Sequence, residues 1–133
     1  MRFREIPLDY LDLFKKRAFG HLATLMPDKS PHVTPVWIDY DGKFLLVNSV
    51  KGRQKDRNMR RDGHVALEVQ DPDNPYRFIL FRGIVIEITE EGADEHIDRL
   101  SMRYKGVPYQ RNDPALKRVI YKIEPLSVAV SHR

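Results

Sequence analysis

Asp41-Gly42, set between two runs rich in alternating apolar residues, constrains this chain more than any other feature. A two-residue Asp-Gly step favours the backbone twist that joins neighbouring antiparallel strands. It predicts strands over 31–40, rich in Val, Thr, Trp and Ile, and over 43–49. Similar punctuation recurs along the chain. Pro27-Asp28-Lys29-Ser30 is a turn after a strand at 19–26, in which Leu22 and Thr24 share one face and His21, Ala23 and Leu25 the other. Asp71-Pro72-Asp73-Asn74-Pro75 reads as a loop between strands at 65–70 and 76–88. Gly83 marks a bulge or tight bend in the second of these. Pro35 has no N–H to give a ladder, so its strand should lie at an edge or bulge there. Pro125 parts two closing strands, 118–124 and 126–131.

Helical spacing appears at 7–17 (Leu8, Leu11, Phe14) and 93–104 (Ala93, Ile97, Leu100, Tyr104), and a short basic helix follows Ser49. Six or seven hairpin-joined strands with small inserted helices predict a mostly β protein, a closed antiparallel barrel spanning 1–133 as one domain.

The chain has no cysteine, which excludes disulfides, thiolate metal sites and a cysteine nucleophile. Its start, Met1-Arg2-Phe3-Arg4-Glu5-Ile6-Pro7, lacks the apolar core of a signal peptide, and its apolar runs are too short to span a bilayer. A cytoplasmic protein without a membrane partner is expected. The net charge of +4 suits an anionic partner, but acids are scattered through both halves, so no nucleic-acid partner is expected. His21, His32, His64, His96 and His132 show no ligand spacing; no metal is expected, and all five read as surface or strand-end residues. Nor is there a GxSxG elbow, a P-loop, a GxGxxG turn or a visible catalytic dyad. No catalytic residue is assigned, and any redox activity must come from a cofactor.

One segment points to what that cofactor carries. The strand over 44–47 runs through Asn48-Ser49-Val50-Lys51-Gly52 into a helical stretch, and residues 51–62 hold six basic residues against two acids. Helix-start N–H groups and forked guanidinium donors can converge there on a phosphate. A solvated basic helix face would produce the same composition.

The order FGHLATLMPDKSPHVTPVWIDYDGKFLLVNSVKGRQKDRNMRRDGHVALEVQDPDNPYRF, followed by RGIVIEITEEGADEHIDRLSMRYKG and RVIYKIEP, resembles the pyridoxamine-phosphate-oxidase-like split β-barrel flavoproteins. Within them it is most similar to the branch that uses the deazaflavin coenzyme F-420. The resemblance runs from 19 to about 125. It implies a six-stranded antiparallel split β-barrel, FMN-binding-protein-like, that forms a homodimer with cofactor sites at the interface. By the same resemblance, His32, Val33, Thr34, Pro35 and Trp37 run along the ring system. Val47, Asn48 and Ser49 lie beneath the ring and ribityl chain, and Arg53 and Lys55 grip the phosphate with Gln54 beside them. Asn58 braces the helix. Gln70 and the Tyr76-Arg77 pair approach the ring, and the partner subunit contributes from the loop around Tyr109 and Arg111.

The implied activity is hydride transfer between reduced F-420 and a small-molecule substrate. FMN is the alternative cofactor, and a non-catalytic cofactor-binding protein or a basic interaction module the alternative role. The acidic tail of F-420 would suit an extended basic groove, for which Arg57, Arg60 and Arg61 are candidates. Pyridoxal phosphate synthesis is not expected, because the further substrate-binding motifs of those oxidases are missing.

Overall fold

The computed structural model describes residues 2, 3, 5–111 and 113–131. Its elements, in chain order, are β1 (Arg2–Phe3), a 3-10 helix (Leu8–Phe14), β2 (Phe19–Leu25), β3 (Pro31–Tyr40), β4 (Leu45–Val50), α1 (Gln54–Arg61), β5 (His64–Asp71), β6 (Asn74–Thr89), α2 (Ala93–Lys105) and β7 (Arg118–Val130). The strand order β7-β4-β3-β2-β5-β6 returns to β7 through the β6–β7 pairing, so six antiparallel strands close a barrel, with β1 added alongside β7. His132 falls outside the described residues. Among the described residues no helix is long and apolar enough to cross a membrane.

Alternation decides which side chains enter the barrel. Leu22 and Thr24 of β2 point inward as the pattern predicts, together with Val36 and Ile38 of β3, Leu45 and Val47 of β4, and Val119, Tyr121 and Ile123 of β7. The Asp41-Gly42 turn forms, with Gly42 at φ 100° and the Asp41 side chain accepting the N–H groups of Lys43 and Phe44.

Three expectations are corrected. The opening helix is a short 3-10 segment. The predicted loop over 71–75 is a tight hairpin in which β5 and β6 already pair at Asp71 and Asn74. Pro125 does not divide the last strand. It pairs with Gly83 where the β6–β7 register slips, and a strand tolerates a missing N–H at such an irregularity. Gly83 itself is needed for close approach: a Cβ there would lie 2.8 Å from the Glu124 carbonyl and from Ile123 Cγ2.

Two polar clusters fasten the helices to the barrel. Arg77 bonds Asp12 at 2.6 Å and Asp71 at 2.7 Å, with Lys16 3.1 Å from Asp71, tying the 3-10 helix to the β5–β6 hairpin. The Arg77 hydrogen bond is the main reason that the Asp12 carboxyl sits below the usual carboxylate range. In the second cluster Tyr104 of α2 stacks on Trp37, with centroids 5.1 Å apart, and its hydroxyl links the Ile38 N–H to the Ala18 carbonyl.

Candidate functional site

Strands β3 and β4 pair only over Ile38–Tyr40 against Leu45–Val47. Beyond that point they diverge: residues 31–37 stay with β2, and residues 48–50 stay with β7. The result is a split in the barrel wall, with one free backbone edge along 31–37. The Ile38 N–H points to the β2 side, where Tyr104 relays it to Ala18. By strand alternation Pro35 turns its nitrogen to the free edge, where no ladder needs a donor.

The turn after β4 brings α1 to the mouth of this split, and Asp56 builds that turn. Its carboxylate, 2% exposed, accepts the Tyr121 hydroxyl at 2.6 Å, the Gly52 N–H at 2.8 Å and Arg60 at 3.0 Å. Burial pushes its pKa up, but these bonds outweigh burial and hold the group below its ordinary value. Gly52 adopts φ 98°, a conformation that strains any residue with a Cβ. The buried Asn58 holds the inner face of α1, donating to Thr24 Oγ1 at 3.0 Å and accepting from Gln54 and Arg61.

Between the diverging strands lies a cavity of about 200 Å³ lined by Phe19, Pro35, Val36, Trp37, Asn48, Ser49, Arg53, Lys55, Ile97, Tyr109 and Arg118. Three cations and no carboxylate line it. Lys55 Nζ is 3.3 Å from Thr34 Oγ1, and none of Arg53, Lys55 and Arg118 forms an ion pair among the described residues. Burial, then the charges of Arg53 and Arg118, push the Lys55 ammonium below its ordinary pKa. Burial also lowers Arg118. Nature rarely leaves cations so placed without an anion, because desolvating a charge is costly unless it is paired. Two buried polar atoms at expected ring positions also lack protein partners, Ser49 Oγ and His32 Nδ1. The uncompensated cations and the orphaned Ser49 hydroxyl around one cavity suit a phosphate-bearing group with polar edges. A second cavity of about 510 Å³ continues from Arg53, Tyr109 and Arg118 towards Gln110, Arg111 and Lys117, with Glu90, Asp94 and Asp113 also in its wall.

Of the residues expected at the site, Pro35, Trp37, Asn48, Ser49, Arg53 and Lys55 line this cavity, and Thr34 meets it through Lys55. Val47 does not: it is wholly buried in the barrel core and paired on both edges, to Ile38 and Tyr121. Gln54 is spent within α1, on Asn58 and Arg57. Val33, 60% exposed, and Gln70 face an apolar cleft of about 770 Å³ on the outer sheet surface instead. Arg77 is committed to Asp12 and Asp71 and lies over the Tyr10 ring. Tyr76 is 76% exposed beside it on β6. Tyr109, expected from a partner subunit, lies over this chain's own Arg118 at 5.0 Å, and Arg111 bonds Asp98 and the Asp94 carbonyl.

The arginines considered for an acidic tail are also engaged. Arg57 bonds the Gly52 carbonyl and Gln54, Arg60 bonds Asp56, and Arg61 bonds the Leu25 carbonyl and Asn58.

Sequence reasoning missed Arg118, which the β4–β7 register sets opposite Val50. The only local hint was a Lys-Arg pair at the head of a β-type run. It also misjudged His96, which is fully buried on the inner face of α2 and not at the surface.

The fold is shared with known proteins. The family model described as pyridoxamine 5'-phosphate oxidase matches residues 8–132. Among solved structures the chain is similar to one described as an F-420 reductase, with 34% identity, coverage of 93% of this chain and 98% of that one, and a TM-score of 0.82. A conserved hypothetical protein of Mycobacterium tuberculosis follows at 29% identity, 96% and 86% coverage, and a TM-score of 0.72. A candidate pyridoxamine 5'-phosphate oxidase of Listeria innocua has 25% identity, 92% and 94% coverage, and a TM-score of 0.70. A search of the curated proteins finds no match.

Proposed function

Because the chain belongs to the pyridoxamine 5'-phosphate oxidase family, we propose that it is an oxidoreductase that binds coenzyme F-420 in the barrel split and acts on a small organic substrate. The observation that carries this reading is the convergence of Arg53, Lys55 and Arg118 on one cavity without a counter-anion. F-420 is preferred to FMN on two grounds. The structure described as an F-420 reductase shares 34% of this sequence over nearly its whole length. The cavity beyond Arg53 adds about 510 Å³ of room for the longer tail that FMN lacks, in a wall of mixed charge where Arg111 and Lys117 stand alongside Glu90, Asp94 and Asp113. FMN remains the second reading, since it shares the ring, ribityl chain and phosphate.

The roles of the residues follow from their chemistry. Arg53 and Lys55 hold the phosphate, each contact contributing about 1.5–3 kcal/mol. The free edge along 31–37 offers backbone groups to a ring edge, and Phe19 and Trp37 supply apolar walls that limit water. The bound cofactor would supply the hydride chemistry. The protein's part is to fix the reacting atoms and exclude solvent, so no acid–base pair is required.

A homodimer completes this reading. Phe19, Val33, Leu80 and Leu126 are each more than 40% exposed on the outer surface. The cleft there connects to the split through His21 and Gln70, then Phe19 and Pro35. A second copy on that face would bury an apolar patch and roof the cavity. Sedimentation at micromolar concentration is expected to show a dimer; a stable monomer would refute the interface model.

The cofactor is tested by titrating the apo-protein separately with F-420 and FMN, following fluorescence. Micromolar or tighter binding of F-420 with weaker FMN binding is the expected result. The reverse order would make this an FMN protein, and binding of neither would overturn the cofactor reading. Tight binding without turnover across a substrate panel would favour a carrier.

A further inference from the structure

A chain of buried and part-buried hydrogen bonds leads from Asp39 of β3 through His96 of α2 to the anion cavity, and its polarity is fixed at every link. Arg118 can only donate, so the oxygen of Asn48 must face it, 2.8 Å from Arg118 Nε. The Asn48 amide nitrogen then points to the Ala93 carbonyl at 2.9 Å and to His96 Nδ1 at 3.2 Å. Nδ1 must therefore present a lone pair, which puts the proton of the neutral imidazole on Nε2. That atom lies 3.0 Å from Asp39 Oδ2, a carboxylate that can only accept. Donation thus runs in one direction: Arg118 to Asn48, Asn48 to His96, His96 to Asp39.

We propose that Asp39 and His96 are positioning residues that orient Arg118 towards the bound anion through Asn48. The proposal rests on the reading of the split as an anion site. His96 is completely buried and touches none of the cavity, and its two ring nitrogens are spent on these two partners. A residue needed only to fasten α2 would not have to be amphoteric, since Ile97, Leu100 and Tyr104 already pack that helix. An amphoteric ring is required to receive from an amide and donate to a carboxylate at once. The orientation it imposes puts the amide oxygen, and not a competing N–H, against the guanidinium. Arg118 Nε is thereby occupied, leaving its outer nitrogens for the cavity, where Nη1 is 3.4 Å from the Tyr109 hydroxyl.

Asp39→Asn is the sharpest variant, because it keeps volume and reverses one end of the chain. The same Asp39 carboxylate accepts the Tyr40 N–H at 2.9 Å, so an amide there must present a donor to Tyr40 or to His96. His96→Leu removes both links, and His96→Gln restores an acceptor for Asn48 and a donor for Asp39. The measurement is affinity for F-420 and for FMN in these variants, alone and combined with Arg118→Ala, with a thermal melt of each protein.

Asp39→Asn and His96→Leu are expected to weaken binding about five- to tenfold, and His96→Gln less than about threefold, by loss of one well-oriented charge-assisted contact. In the Arg118→Ala background the first two should have no further effect on affinity, since the guanidinium they orient is gone. A full additional loss in that background would overturn the proposal, as would wild-type affinity in both Asp39→Asn and His96→Leu. Wild-type affinity in Arg118→Ala alone would instead overturn the placing of Arg118 in the anion site. If His96→Leu fails to fold, the Asp39→Asn and Arg118→Ala cycle decides the question alone.

Discussion

Replacing Arg53 and Lys55 together by alanine is expected to weaken binding of F-420 or FMN about a hundredfold or more and to leave the melting temperature nearly unchanged. Two charge-assisted contacts at about 1.5–3 kcal/mol each give that loss, since about 1.4 kcal/mol is tenfold in affinity. Stability should hold because neither cation forms an ion pair among the described residues. Lys55 has a folded-state pKa below its ordinary value, caused first by burial and then by Arg53 and Arg118. For a base the sign is unfavourable: its charged form costs stability below that pKa, and the cost disappears as the pH rises through it. Removing Lys55 relieves this repulsion, as would a bound phosphate. Fluorescence titration and a thermal melt of the same sample separate the two quantities. Undiminished affinity would disprove the phosphate assignment, and a large fall in melting temperature would make the two cations structural.

Asp56→Ala should produce the largest loss of stability, about 3 kcal/mol, by stranding a buried Tyr121 hydroxyl, the Gly52 N–H and a paired arginine together. For a domain of this size that is on the order of 10 °C in melting temperature. Binding should weaken too, because the same carboxylate shapes the turn that presents Arg53. The pH dependence has a definite sign. Asp56 is held below its ordinary pKa, so its stabilising contribution is complete above about pH 4 and is lost as the pH falls through the folded value. The deficit of Asp56→Ala, measured by urea unfolding, should be constant near neutrality and shrink in acid. Equal deficits at neutral and strongly acid pH would show that the carboxylate charge is irrelevant to the turn.

The barrel was largely legible because its signals are local. The Asp41-Gly42 step, the alternation of Leu22 and Thr24, the Gly83 irregularity and the α2 stripe each depend on neighbours within a few residues. Pro125 failed as a strand breaker because its partner across the ladder, Gly83, lies 42 positions earlier and absorbs the irregularity. The site was harder to read for the same reason. Arg77 looks available in sequence, yet Asp12, 65 positions away, has claimed it. Arg57, Arg60 and Arg61 suggest an open basic face, whereas backbone carbonyls and Asp56 use them. Arg118 and His96 gain their meaning only from tertiary contacts with Asn48. Among the described residues Arg53 and Lys55 form no ion pair, and composition alone cannot reveal that.

The position of β7 has a consequence for how the chain reaches this structure. It pairs with β1, β4 and β6, so the strand nearest the end of this sequence is also the one that joins both flanks of the sheet. Until residues 118–130 dock, strands β2 to β6 form only an open sheet with two unpaired edges, and the inner faces of Leu45, Val47 and Ile79 stay wet. Loop-closure entropy over such long separations must be met before these contacts form, which slows folding. A nascent chain whose β7 is still inside the ribosome would therefore expose two sheet edges and an unfilled apolar face, the features that make partly folded chains prone to aggregate.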